Sequence, residues 1–414
     1  MKKIFSYIDY KKLEKVVLID IIFFFFVAAF FFNIFLPNLE VKAFTENGAE
    51  FTQLADSFLS GRLNLIKAGN LDCSFQAEKC FWALGPGPAI LLLPFVFIAR
   101  IFKQFFFQGY LNIFLVGAIF YLCYLLAKRF KYDSYDRFWL ALAFCFASVF
   151  SGVVFNSNSW YFSHVVNTLF LLLCFWEFFG KKRYWLIGIY LAMVFATRLN
   201  AGLVIIFFIF EILFNDIGKR KDKLKSLGLL LLPVFFSLLI LSGYNYARFD
   251  NLLDTGYGRA QNGQPFQRYL KDNFGLFNWH YLLTNVYYSL LKLPEPIFNF
   301  GYMLKAPYFM VSPLGLSFFF VSPIFFWIFF AGRKTKTIKF LYLASFLILL
   351  SVLLYFNSGY AQFGPRYFID FLPLLYIILL HSFKDSRLTL KSKIIIALSV
   401  FINFYLFFSF FVLF

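Results

Sequence analysis

The chain has 414 residues, with 39 Lys and Arg against 21 Asp and Glu for a formal charge of +18, and it is 61% hydrophobic but only 14% charged. A soluble domain carries about 25% charged residues, so these proportions leave too little polar surface for a water-facing enzyme, a secreted domain or a disordered tail. Apolar runs of about 20 residues without period-two alternation also exclude a porin-type barrel and leave a multi-pass helical membrane protein.

A basic N-terminal stretch ending in Lys11, Lys12 and Lys15 precedes a first span over about 16–36. At 1.5 Å per residue such a run crosses roughly 30 Å. No small-residue cleavage site closes it, so it reads as a retained helix and not as a removed signal peptide. A polar loop over 37–84 follows. Further apolar runs cover 86–106, 108–127, 138–154, 161–179, 184–214 with a break near Arg198, 227–244, 308–331, 338–356, 367–381 and 394–414. A second polar loop spans 245–307, and no repeat or linker divides the chain, so 1–414 reads as a single domain.

Orientation follows from Lys and Arg placement. The N-terminus and the loops at 215–226, 332–339 and 382–393 carry 18 basic residues against five acids and are expected in the cytoplasm. The loops at 37–84 and 245–307 and the turn at 357–366 go outside, in a plasma or inner membrane. Charge concentrated at loops in this way argues against a nucleic-acid partner. Two clusters, Lys128, Arg129 and Lys131 and then Lys181, Lys182 and Arg183, also prefer the cytoplasm. Both reach it only if 86–106 is re-entrant and 184–214 is a hairpin; otherwise each run crosses once. The expected fold class is all-α and polytopic, with about ten to twelve transmembrane or re-entrant helices and short juxtamembrane helices in the two outer loops.

Ionisable groups inside the runs are few. Asp20, Glu177 and Glu211 lie near run ends, where they can snorkel to an interface. Arg198 is deep only if its run crosses once. The acids gather in the first outer loop (Glu40, Glu46, Glu50, Asp56, Asp72 and Glu78), which favours an enzyme at the outer surface over a proton-coupled carrier. Within 45–61, Phe51, Leu54, Ala55, Phe58 and Leu59 recur at helical spacing. They predict a short amphipathic helix on the membrane surface, capped by Thr45 or Asn47 and stopped by Gly61. Glu46 and Glu50, four apart, would share a face of a continuous helix. They read either as complements to the helix dipole or as a general base.

Cys73 and Cys80 share the same polar loop, where an oxidising compartment allows a disulfide; Cys123, Cys145 and Cys174 read as packing residues. The segment 276–292, with Trp279, Tyr281, Tyr287 and Tyr288, reads as an interfacial helix. Arg366 and Asp370, four apart, read either as an ion pair on one helical face or as a site where Arg366 grips phosphate. His164 reads as packed or interfacial, and His280 and His381 are isolated, so neither a metal site nor a cofactor is expected.

In order along the chain, Glu46–Gly61, Leu84–Pro94, Thr197-Arg198-Leu199-Asn200, Tyr244–Phe249, Asp254-Thr255-Gly256-Tyr257 and Gly364-Pro365-Arg366-Tyr367 resemble the GT-C superfamily of membrane glycosyltransferases. That superfamily includes the dolichyl-phosphate-mannose protein mannosyltransferases and the bacterial aminoarabinose transferases. The resemblance implies an inverting transfer of a hexosyl or pentosyl sugar from a polyprenyl-phosphate donor, in contact with membrane lipids, to a lipid, glycan or protein acceptor outside the cytoplasm. It implies a carboxylate base, Glu46 or Glu50, and substrate contacts from Asn47, Lys79, Arg248, Tyr257, Arg366 and Tyr367. Relatives carry Asp where this chain has Asn47, and Asn cannot act as a base at neutral pH; the resemblance therefore moves the role to Glu46. A flippase, a polymerase or ligase for lipid-linked glycans, and a non-catalytic relative are the alternatives.

Overall fold

The computed structural model describes residues 20, 23–32, 48–66, 72–216, 218–261, 264–332 and 335–411. Thr45, Glu46, Asn47 and the basic N-terminal stretch lie outside the described residues. Helix α1 (Phe23–Phe32) leads to α2 (Glu50–Leu59), the hairpin β1 (Cys73–Gln76) and β2 (Lys79–Trp82), and α3 (Gly87–Ile101). Helices α4 (Gln108–Arg129), α5 (Ser134–Cys145), the single turn α6 (Ser151–Val154) and α7 (Ser159–Phe178) follow. Next come α8 (Tyr184–Thr197), α9 (Ile205–Phe214) and α10 (Arg220–Phe249). The second polar loop holds α11 (Pro265–Phe274), α12 (Leu282–Val286) and the hairpin β3 (Glu295–Phe298) and β4 (Leu304–Met310). The chain closes with α13 (Phe318–Val321), α14 (Lys336–Leu353), α15 (Leu372–Leu380) and α16 (Leu390–Phe411). Among the described residues α4, α7, α10, α14 and α16 are long and apolar enough to cross a membrane.

Burial separates the roles of these helices. The apolar window of α7 is 78% buried and that of α10 only 11%, so α7 is a central post and α10 shows its apolar residues outward, as a lipid-facing helix does. Edge-to-face and tilted ring pairs join α1 to α16 and the α5–α6 region, with Phe25 against Phe146 and Phe404, and Phe32 against Phe155 and Phe407. Such pairs add about 0.5–1.5 kcal/mol each beyond their buried area.

Contacts sort the helix ends into two groups. At one end the Tyr132 hydroxyl donates to the Leu380 carbonyl (2.8 Å), Lys393 pairs with Asp136 (2.9 Å) and Lys182 pairs with Asp216 (3.3 Å). The side chain of Asn215 donates to Thr337 there (3.1 Å). The basic clusters at 128–131 and 181–183 therefore sit with the basic loops that follow α9 and α15. The segment 184–214 does fold back on itself, since the Tyr184 hydroxyl meets the Asp216 carboxylate at 2.7 Å.

The segment after the first hairpin also begins and ends at one place, the other end of the bundle. Trp82, just before it, packs on Trp160 (centroids 5.7 Å apart). Gln108, just after it, donates to the Ser157 and Gly48 carbonyls. Helix α3 therefore does not carry the chain across, because both its flanks lie against the start of α7.

Local chemistry explains several boundaries. Asp133 caps α5 by accepting from the Tyr135 and Asp136 amides (2.9 and 2.8 Å). Helix α2 ends at Ser60, with Gly61 at φ +68°, the left-handed position that glycine adopts without strain. Two expectations need correction. The two long polar loops are not purely helical, because each carries an antiparallel two-stranded hairpin. Nor does α2 lie with its apolar face on the membrane: Phe51, Leu54 and Ala55 are fully buried against protein, Phe51 touching Trp82 and Phe162. An amphipathic stripe shows that a face is buried, not which apolar medium buries it.

Gly85 marks a close crossing of α3's start over the end of α8, since a Cβ there would lie 2.3 Å from the Ala196 carbonyl oxygen. Gly85→Ala is expected to destabilise the protein by about 1–3 kcal/mol, read as a lower melting temperature in detergent. Gly228→Ala, where nothing lies within 4 Å of the new methyl, should not lower it.

Candidate functional site

The site begins where α8 breaks. Arg198 leaves helical geometry (φ −146°, ψ 102°) and the chain turns back as a tight 3-10 turn, Leu199–Val204, before α9. A second 3-10 turn, Arg366–Asp370, precedes α15 and faces the first. Asp370, fully buried, joins them: Oδ1 accepts from Arg198 Nε (2.5 Å), and Oδ2 accepts from Asn200 Nδ2 (2.8 Å). His164 Nδ1 of α7 lies 3.1 Å from Oδ1. Three helical segments are thus tied to one carboxylate. Burying an ion pair costs several kcal/mol of desolvation per charge, recovered only when the remaining hydrogen bonds are also satisfied; Asn200 and His164 satisfy them here.

The expected pairing of Arg366 with Asp370 is therefore corrected. The turn between them is 3-10, not α-helical, and Asp370 is taken by Arg198. Arg366 donates from Nη1 to the Tyr360 carbonyl (2.8 Å), and its buried Nε meets no protein acceptor among the described residues. No described carboxylate forms an ion pair with it. The ring of Tyr367 lies 5.3 Å from both the Arg198 and the Arg366 guanidinium carbons, within cation–π range of each.

These groups border a cavity of about 370 Å³. Arg198, Asn200, Arg366, Tyr257 and Tyr367 line its polar side. Leu199, Leu203, Leu276, Phe277 and Val352 line an apolar side, where Leu199 and Phe277 are more than half exposed and mark a mouth. A small adjoining chamber of about 50 Å³ shares Trp160, Tyr257, Tyr355, Arg366 and Tyr367, and adds Asp72 and Asn357.

The two long polar loops are clipped together beside this cavity. Asp72 N donates to the Gln261 carbonyl (2.9 Å), Gln261 N to the Cys73 carbonyl (3.0 Å), and Ser74 Oγ to the Gly256 carbonyl (2.6 Å). A disulfide joins Cys73 to Cys80 across the hairpin. The clip brings Tyr257 of the second loop and Asp72 of the first to the same chamber.

The other residues expected at the site are placed as follows. Lys79 is exposed on the hairpin and lines neither cavity. Arg248 is buried against Tyr244 (3.9 Å to the ring) and donates to the Trp82 carbonyl (2.9 Å), so it braces the first loop from α10. Glu50 is buried in the first turn of α2, close to Ser159, and lines neither cavity. Burial pushes its carboxyl up to about 8, only partly offset by a hydrogen bond to Ser159. Glu46 and Asn47 lie outside the described residues. Sequence reasoning passed over Asp370 as the partner of Arg198, and also His164 and Asp72. The one local signal was a charged residue at the break in the 184–214 run. Among the described residues no three His, Cys, Asp or Glu side chains gather as a metal site would need.

No family profile matches the chain, and no curated protein matches it. Among solved structures it is similar to the oligosaccharyltransferase of Archaeoglobus fulgidus in its apo form (14% identity, TM-score 0.47, covering 96% of this chain and 55% of that one). It is also similar to the archaeal oligosaccharyltransferase AglB of that organism in complex with an inhibitory peptide and a dolichol-phosphate (12% identity, TM-score 0.45, covering 95% and 55%). The form tethered to an acceptor peptide gives 12% identity and a TM-score of 0.43, covering 96% and 55%. The chain spans about half the length of these structures.

Removing Asp370 leaves the Arg198 guanidinium buried and unpaired, so Asp370→Ala should cost about 3–5 kcal/mol. Adding Arg198→Met should recover much of that loss, as thermal melts of the two single variants and the double variant would reveal. Glu50 gives a separate, pH-dependent outcome. Below about pH 4.5, the ordinary value of the group, both folded and unfolded states are protonated. Between there and about 8 the folded state holds a proton that the unfolded state has lost, so stability falls as pH rises through this window and levels above it. In Glu50→Gln that part of the pH dependence should vanish, with the variant more stable than wild type at pH 8.

Proposed function

We propose that this chain is a GT-C-type inverting glycosyltransferase, moving a sugar from a polyprenyl-phosphate donor to an acceptor hydroxyl on the extracytoplasmic face of a plasma or inner membrane. The observation that carries this reading is the double character of the cavity: two guanidiniums on one side, an apolar trough with an exposed mouth on the other. A polyprenyl phosphate has the same division, an anionic head on a hydrocarbon tail. Arg366 and Arg198 hold the phosphate, Tyr367 and Tyr257 border the sugar, and the tail leaves over Leu199 and Phe277 toward lipid. Arg is suited to this task because its planar fork meets phosphate oxygens with two N–H groups. Lys79 and Arg248 serve the site at a distance, through the first outer loop.

In this reading the end gathering the basic loops faces the cytoplasm, as does the N-terminus, and the cavity lies at the opposite face. Helices α4, α5 with α6, α7, α8, α9, α10, the α13 segment, α14, α15 and α16 then cross in alternating directions after the first span, with α3 re-entrant. Both basic clusters at 128–131 and 181–183 fall on the cytoplasmic side. The acceptor hydroxyl gives its proton to a carboxylate of the first outer loop and attacks the anomeric carbon. The phosphate departs opposite to it, and the guanidiniums stabilise the charge it gains.

A hydrogen bond to a charged group is worth about 1.5–3 kcal/mol. Arg366→Gln should therefore weaken binding of undecaprenyl phosphate by roughly 10–100-fold. Trp82 and Trp160, which border the small chamber, supply a fluorescence signal for the titration in detergent. Undecaprenol, which lacks the phosphate, should bind weakly and equally to both proteins; equal affinity of wild type for the alcohol and the phosphate would sink the proposal.

A further inference from the structure

We infer that the small chamber is a pocket for the exocyclic hydroxymethyl group of a hexosyl donor, and that Asn357 donates a hydrogen bond to its oxygen. The inference rests on the transfer reading above and names the class of sugar that the same site takes. The trough residues Leu199, Leu203, Leu276, Phe277 and Val352 do not border the chamber, which shares Tyr257, Arg366 and Tyr367 with the polar end of the large cavity. A phosphodiester carries two ester arms on one phosphorus. With the phosphate on Arg366 and the lipid arm in the trough, the glycosyl arm is directed to the chamber.

The walls suit that arm. Trp160, Tyr257, Tyr355 and Tyr367 border both spaces, and Trp82 closes the chamber. Aromatic faces with a few placed polar groups are the common lining of small-ligand sites, and the C–H face of a sugar ring stacks on them. The chamber, about 50 Å³, admits a few water-sized groups, so the ring stays in the large cavity and only a substituent enters. A ring hydroxyl is bonded to the ring directly and stays beside it. A hydroxymethyl arm carries its oxygen one carbon further, into the chamber.

Asn357 is oriented before any ligand arrives. It lies in the segment after α14, and its Oδ1 accepts from the Gly359 amide at 2.8 Å and from Gln267 Nε2 at 2.9 Å. A backbone N–H only donates, so the oxygen of the Asn357 amide must face it, and Nδ2 is the remaining arm. Among the described residues Nδ2 meets no protein acceptor. Gln267 is itself buried on α11, so the second polar loop holds the amide in place. The backbone around it is fixed as well: Phe356 N donates to the Leu276 carbonyl (3.0 Å), and Asn278 N to the Leu354 carbonyl (2.9 Å). A donor held in place in this way loses little freedom when it binds. A pentose or a 6-deoxy sugar brings no oxygen to it and leaves its N–H groups unpaired in a closed space, the condition under which a site rejects a ligand lacking one hydroxyl.

The test uses the full-length protein in detergent, with the fluorescence of Trp82 and Trp160 as the binding signal. The ligands are synthetic undecaprenyl-phosphate glucose, galactose and mannose, each beside its 6-deoxy counterpart. Wild type should bind at least one hexose derivative roughly 3–10-fold more tightly than its counterpart, the worth of one neutral hydrogen bond. Asn357→Leu should lose that preference, while undecaprenyl phosphate, which has no sugar, binds the variant within about twofold of wild type. If Asn357→Leu does not fold, Asn357→Ser keeps an oxygen for the Gly359 amide but is too short to reach into the chamber, and it should lose the preference likewise. Equal binding within all the pairs, or a preference that survives in the folded variant, overturns the inference. Loss of undecaprenyl phosphate together with the preference makes Asn357 a support of the whole site and overturns it too. In each of these cases the transfer reading stands if wild type still binds undecaprenyl phosphate more tightly than undecaprenol. Equal affinity for that phosphate and alcohol overturns both.

Discussion

The arrangement depends on one buried ion pair. Arg198 and Asp370 are 172 residues apart in sequence, yet their side chains meet at 2.5 Å in a protein interior. Each alone would be an expensive charge in a poorly polarisable medium. Together, with Asn200 and His164 completing the hydrogen bonds, they pin the tip of the α8–α9 hairpin to the turn before α15 and to the central post α7. The pinning determines where Arg366 points. With Asp370 already engaged, the second guanidinium lines the cavity, its Nη1 on the Tyr360 carbonyl and the rings of Tyr161 and Tyr367 beside it.

The soluble parts of the chain are organised around the same point from the other side. A two-stranded hairpin of four-residue strands is marginal on its own. Here it is closed by a disulfide, bonded to the 256–261 stretch of the second loop, and braced from α10 by Arg248 through the Trp82 carbonyl. Arg248, which the sequence offered as a substrate contact, thus contributes by holding the first loop. The disulfide, the backbone bonds and the Arg248 brace all stiffen the loop that carries Asp72.

Much of the fold was legible because lipid imposes a one-dimensional rule: apolar runs of sufficient length span, and basic loops collect at one face. The break in the 184–214 run, the stop at Gly61 and the buried role of the three unpaired cysteines all followed from local chemistry. The site was legible only in part. Arg366 and Tyr367 stood out as a Gly-Pro-Arg-Tyr turn, and Tyr257 by its glycine-rich surroundings. The partner of Asp370 did not, because sequence proximity pointed to Arg366 four residues away, while a 3-10 turn and a distant helix break gave the place to Arg198. Asp72 looked like one more loop acid; its place is fixed by Trp160, 88 residues on, and no local pattern encodes such a pairing. The face of α2 was misassigned for a related reason: hydrophobic spacing is the same whether the covering medium is lipid or the wall of α7.

The charge inventory gives the proposed chemistry its economy. Arg198 is matched by Asp370, and Arg366 lines both cavities. In the proposed reaction a donor phosphodiester would bring one negative charge and meet Arg366. During that transfer the phosphate would gain a second negative charge while a proton taken up by a carboxylate would remove one. The total charge enclosed by the protein stays constant through the step, and what changes is its position, from the carboxylate toward the guanidiniums. In an interior of low effective dielectric, shifting charge toward fixed cations requires little reorganisation, whereas creating net charge requires a great deal. Arg198 uses Nε on Asp370, so in the proposed step its remaining N–H groups would engage the phosphate more strongly as its charge grows. Such an interaction is stronger in the transition state than in the ground state, the condition for binding energy to appear as rate.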